Sequence, residues 1–160
     1  MTGDESAIAA RLRTELADLE RVVQRAEHLL TKSKQRSDDD YLDGVALNLH
    51  GFYAGVERIF EEVAGEIDRS VPTGPEWQRS LLIQMSGEVA GTRPPVLGSR
   101  TRDCLDEYRG FRHVVRNVYT FNLRPSRLQE LVGDLRTCYT ALAQEIMAFC
   151  NFLDSLTSDG

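Results

Sequence analysis

Residues 109–127, RGFRHVVRNVYTFNLRPSR, hold five arginines and no carboxylate, an island of positive charge in a chain whose 25 acidic and 19 basic side chains leave it at -6. Arginine presents a planar fork of donors that matches phosphate. Arg109, Arg112 and Arg116 stand at i, i+3 and i+7, so on a helix they fall within about 100° of one another, with His113 among them. Phe111, Val114, Val115 and Val118 then form the opposite, apolar side. A cationic face of this kind can follow successive phosphates or grip one phosphoryl group. Met by glutamates from neighbouring helices, the same face is only structural. Arg124, within the TFNLRP break, extends the charge towards the next element.

Three further side chains in the island bear on chemistry. An imidazole such as that of His113 can accept the proton of an RNA 2′-hydroxyl, but the flanking arginines favour its neutral form and supply no carboxylate to orient it; a structural donor is the competing reading. Asn117, one turn on, exchanges hydrogen bonds but transfers no proton at neutral pH. Tyr119 returns to the side of Arg112 and reads either as a half-exposed core residue or as a nucleophile or modification target. His28 and His50 stand apart, without an HExxH pattern or clustered carboxylates, so neither a metal nor another cofactor is expected. Cys104, Cys138 and Cys150 form an odd set without CxxC spacing and predict reduced, partly buried small hydrophobes.

The elements that must position these groups are all helical. Ile8, Leu12, Leu16, Leu19, Val23, Ala26 and Leu30 recur three or four apart and predict a helix over 6–33. KQRSDDD then makes a polar turn. Leu42, Val45, Leu49, Phe52, Val56, Ile59 and Val63 follow at alternating spacings of 3 and 4, a heptad seam on a second helix over 39–69. Gly44, Gly51, Gly55 and Gly65 share another side of it. Each glycine costs about 1 kcal/mol relative to alanine in a helix interior, so the line implies close approach of a neighbouring helix or a partner surface.

A short helix over 75–86 starts at Pro75, and GEVAGTRPPVLGS is an aperiodic connection, either functional or a stiff crossover. Helices over 99–119 and 126–157 complete the chain, the last opened by the S-x-x-Q pattern of Ser126 and Gln129. With no alternating strand pattern, the reading is a single all-α domain over 1–160. It is an antiparallel helical bundle of about five helices, with the second and fifth antiparallel to each other.

Arg112-His113-Val114-Val115-Arg116-Asn117-Val118-Tyr119 resembles the signature of the HEPN superfamily, in particular the HepT-like proteins encoded beside minimal nucleotidyltransferases. Arg112 matches the motif Arg, His113 the polar position after it and Tyr119 the terminal Tyr. Asn117 stands where that family's catalytic His is expected. LHGFYAGVERIFEEVA, the Trp77 segment with Gln78 in place of an expected His, the TRPPVL loop and FRHVVRNVYTFNL extend the similarity over roughly residues 40–155.

The resemblance implies a HEPN-like bundle that dimerises with both motifs facing one cleft, a ribonuclease acting as a toxin, and silencing by AMP transfer from the nucleotidyltransferase antitoxin onto Tyr119. With Asn117 in the motif position, catalysis passes to His113 or is weak or lost. The site so implied places Arg112, His113 and Asn117 at the reacting group, and Arg109, Arg116 and Arg124 on RNA phosphates. The alternative is a non-catalytic helical partner of a nucleotidyltransferase that docks it or binds nucleotide.

Composition bounds both readings. The 160 residues, 41% of them hydrophobic, suffice for one core, and the net acidity excludes wholesale wrapping of nucleic acid. No apolar run approaches a membrane span, and MTGDESAIAARLR lacks the features of a signal peptide, so a cytoplasmic protein without membrane contact is expected.

Overall fold

A computed structural model describes residues 4–117 and 123–158. Five α-helices follow in order among the described residues: α1 Asp4–Arg36, α2 Asp40–Glu62, α3 Trp77–Met85, α4 Ser99–Asn117 and α5 Pro125–Ser158. A π-helical segment, Val63–Asp68, continues α2. No strand occurs among the described residues, and the chain is an all-α bundle.

Every residue of the heptad seam, from Leu42 to Val63, is buried, as are Ile8, Leu12, Leu16, Leu19, Val23, Ala26 and Leu30 on α1. The two stripes meet because the turn between Arg36 and Asp40 folds α2 back along α1. Leu29 then reaches Gly44, Leu19 reaches Gly55, and Arg11 pairs with Glu62, which fixes the antiparallel register. A Cβ at Gly44 would lie 2.8 Å from Leu29 Cδ1, and one at Gly55 2.5 Å from Leu19 Cδ2. Two of the four glycines therefore exist to admit α1. A Cβ at Gly51 would meet nothing within 4 Å.

α5 lies antiparallel along the other side of α1. The Tyr139 hydroxyl donates to Leu16 O at 2.8 Å, Arg13 reaches Asp154 at 2.6 Å, and Arg136 forks onto Glu20 and Glu27, both at 2.7 Å. Both α2 and α5 oppose α1, so they run parallel to each other, which corrects the expected antiparallel pairing. The spacings fix each helix, but the direction of α5 depends on how many reversals precede it. α4 supplies the extra one, since its start follows the connection anchored at Asp68 while Leu123 and Pro125, just past it, lie beside Asp40 and Asp43.

The aperiodic connection over 86–98 is a stiff crossover built around one guanidinium. Arg93 forms a bidentate pair with Asp68 at 2.6 and 2.8 Å, and donates to the carbonyls of Gly87, Pro94 and Gln84. Both side chains are almost wholly buried. Gly91, at φ 75°, takes the left-handed turn that lets Val89 and Arg93 bond to each other, and Met85 O accepts from the amides of Val96 and Leu97.

The cysteines depart from expectation. Cys104 of α4 and Cys138 of α5 form a disulfide with their Cα atoms 6.0 Å apart, and only Cys150 is free, buried in the core. Local spacing cannot reveal such a pair, because 34 residues separate its members and helix packing alone brings them together.

Candidate functional site

α4 is held against α2 by its inward residues. Leu105, Tyr108 and Phe111 are buried; the Tyr108 ring meets Phe52 edge to face at 5.4 Å, and its hydroxyl donates to Leu131 O of α5 at 2.7 Å. One residue beyond Phe111, Arg112 also turns inward and forms an ion pair with Glu57 of α2. The Arg112 side chain is 12% exposed and the Glu57 side chain 4%. Tyr53, one turn before Glu57, is fully buried; its hydroxyl and Glu57 Oε2 have no hydrogen-bond partner among the described residues. Burial pushes the Tyr53 phenol well above its ordinary range, against the opposing pull of Arg109.

The expected cationic face is thus divided. Arg112 lies inside, paired with a glutamate from a neighbouring helix, whereas His113 and Val114 point outward, Val114 being 47% exposed. A helical wheel gives the angles between side chains but not the direction of the neighbouring helices. The buried arc of α4 is turned away from Val114 and onto Leu105, Tyr108 and Arg112. Arg109 remains near the surface, its Nε on Asp106 Oδ1 at 2.7 Å, and Arg124 is exposed at the start of α5. Arg116 and Asn117 belong to the last turn of α4, but their side chains, like the whole of Tyr119, lie outside the described residues.

Arg109 and Arg124 face one cleft of about 530 Å³ between the second half of α4 and the start of α5. Arg127 joins them, and Phe111, Val114 and Leu123 give the cleft an apolar wall. The N-terminal end of α5 adds its partial positive charge, as helix starts do. Asp106 and Glu107 also line the cleft, so its charge is cationic only by the margin of three arginines over two carboxylates. The arrangement suits a phosphate lying beside a flat, apolar group. Among the described residues, no group of three or more His, Cys, Asp and Glu side chains is placed to hold a metal ion.

Arg127, Glu57 and Tyr53 were not expected at the site. Arg127 lies inside the arginine island and could have been included on charge alone. Glu57 carries a fainter signal: it directly follows the seam residue Val56 and repeats the position of Tyr53 one turn on, where a charge needs a partner.

Residues 44–153, more than half of the chain, match the family model described as HepT-like protein. No curated protein and no solved structure matches the chain.

Proposed function

This chain belongs to the HepT-like family, and from that premise and the arginine-rimmed cleft we propose a toxin-type protein that binds single-stranded RNA through its phosphates. The observation that carries this reading is the convergence of Arg109, Arg124 and Arg127 on one apolar-walled cleft. Arginine forks take phosphate oxygens, and the wall of Phe111, Val114 and Leu123 gives an unstacked base a surface to lie on. Arg112, paired inside with Glu57, orders the motif helix rather than meeting RNA.

Cleavage belongs to the proposal on the side of His113, the exposed imidazole of the island. Its ring nitrogen takes the 2′-hydroxyl proton as that oxygen attacks the adjacent phosphorus. The 5′-oxygen then leaves with a proton from the imidazolium, while the arginines stabilise the charge of the pentacoordinate phosphorus. We further propose a homodimer, a minimal nucleotidyltransferase as partner and Tyr119 as the position that receives AMP. Binding without turnover is the second reading, favoured by Asn117 in the motif position.

Fluorescence anisotropy of a labelled single-stranded RNA across a salt series tests the binding. Affinity should fall with salt, and Arg124→Ala with Arg127→Ala should lower the logarithmic salt slope by about two, one for each phosphate left without its arginine. Arg112→Ala should leave that slope unchanged. Binding indifferent to salt, or a slope that responds only to Arg112, overturns the cleft as the RNA site. Cleavage that survives His113→Ala removes this histidine from the chemistry.

A further inference from the structure

The same two helices that form the cleft are joined by the Cys104–Cys138 bond, and we propose that this pair is a thiol–disulfide exchange site through which a low-molecular-weight thiol controls how firmly α4 is held to α5. α4 meets α5 far less extensively than α1 meets either α2 or α5. Apart from the Tyr108 hydroxyl on Leu131 O, the disulfide is the main specific link between them among the described residues. It lies two turns before Arg112 on α4 and thus anchors the helix that carries the motif.

The pair is open to a reagent. Cys104 is partly exposed and Cys138 is buried, and a surface cleft of about 410 Å³ opens on both between Thr101 and Glu107 of α4 and Thr137 of α5. An incoming thiolate therefore attacks Cys104 Sγ and expels the Cys138 thiolate, which takes up a proton. A second thiol attacks the mixed disulfide, leaving Cys104 as a thiol and the two reagent molecules joined as a disulfide. Two electrons and two protons pass from the reagent to the protein. Cys150 cannot intervene: it is fully buried at Ala9 O, against α1, away from the pair.

The test uses the whole chain equilibrated in oxidised and in reduced glutathione, then denatured, alkylated with iodoacetamide and weighed. One adduct, at Cys150, is expected after oxidation and three after reduction. In native hydrogen exchange, amides of residues 105–117 should exchange about tenfold faster in the reduced protein, while those of α1 should change little. Cys104→Ser should reproduce the reduced pattern under oxidising conditions. Three adducts after oxidation, or a reduced protein whose α4 exchanges as slowly as the oxidised one, overturns the proposal. Should Cys104→Ser fail to give a helical circular-dichroism spectrum, the wild-type comparison alone decides. None of these readouts depends on RNA.

Discussion

At the scale of single residues, the molecule stakes most on two buried ion pairs. Arg93 and Asp68 satisfy each other and three carbonyls, and so turn a loop rich in Gly and Pro into a rigid strut. Arg112 and Glu57 join the motif helix to the seam helix. Removing one partner of such a pair leaves the other charge uncompensated in a poorly solvated place, which typically costs about 3–5 kcal/mol, whereas replacing both by apolar groups of similar volume is often neutral. Glu57→Gln should therefore lower the stability read from urea unfolding by about 3 kcal/mol, and Glu57→Leu with Arg112→Leu should restore most of it. A double variant as unstable as Glu57→Gln would mean that the pair does more than neutralise itself. The sequence allowed both an RNA-facing and a glutamate-paired Arg112, and only the position of α2 separates them.

Elements differ in how far their sequence specifies them. The seam on α2 and the stripe on α1 are local repeats, so their burial is legible from spacing alone. The glycine line was legible as a close approach, but not which glycines admit it. Gly55→Ala should drive a methyl into Leu19, a residue packed in the core, with an overpacking cost of about 1–3 kcal/mol that outweighs the helix-propensity gain. Gly51→Ala meets open space and should stabilise by about 1 kcal/mol. Thermal or urea unfolding of the two variants should thus shift in opposite directions; shifts of the same sign would show that propensity, rather than the packing against α1, governs both positions. What spacing could not reveal is whatever depends on chain direction or on distant partners: the parallel run of α2 and α5, the disulfide, and the Asp68 anchor of the TRPPVL loop. The candidate site falls between these cases. Its five arginines are readable as a run; that Arg112 is buried while Arg109, Arg124 and Arg127 line the cleft is not, and the Arg116, Asn117 and Tyr119 side chains lie outside the described residues.

For the whole molecule, the tyrosines set how the bundle responds to alkali. Tyr53, Tyr108 and Tyr139 are buried, and burial raises the ordinary pKa of each phenol; burial likewise raises that of the Cys150 thiol. In the unfolded chain these phenols ionise near pH 10, while in the folded chain they keep their protons to higher pH. Below that point both states are protonated and the shifts change nothing. Above it the unfolded state gains by ionising, so stability falls as pH rises, by about 1.4 kcal/mol per pH unit for each fully retained proton. Urea midpoints should accordingly decline above pH 10, and tyrosinate absorbance from Tyr53 and Tyr108 should appear only with loss of helical circular dichroism. Tyr53→Phe isolates the effect. The slope above pH 10 should become shallower by about 1.4 kcal/mol per unit, and because the hydroxyl it removes is buried without a partner among the described residues, the variant should match or exceed the wild type in stability below pH 10. An unchanged alkaline slope would show that this phenol ionises in the folded bundle, and a variant weaker than wild type at neutral pH would show that a bound water or ligand satisfies the Tyr53 hydroxyl.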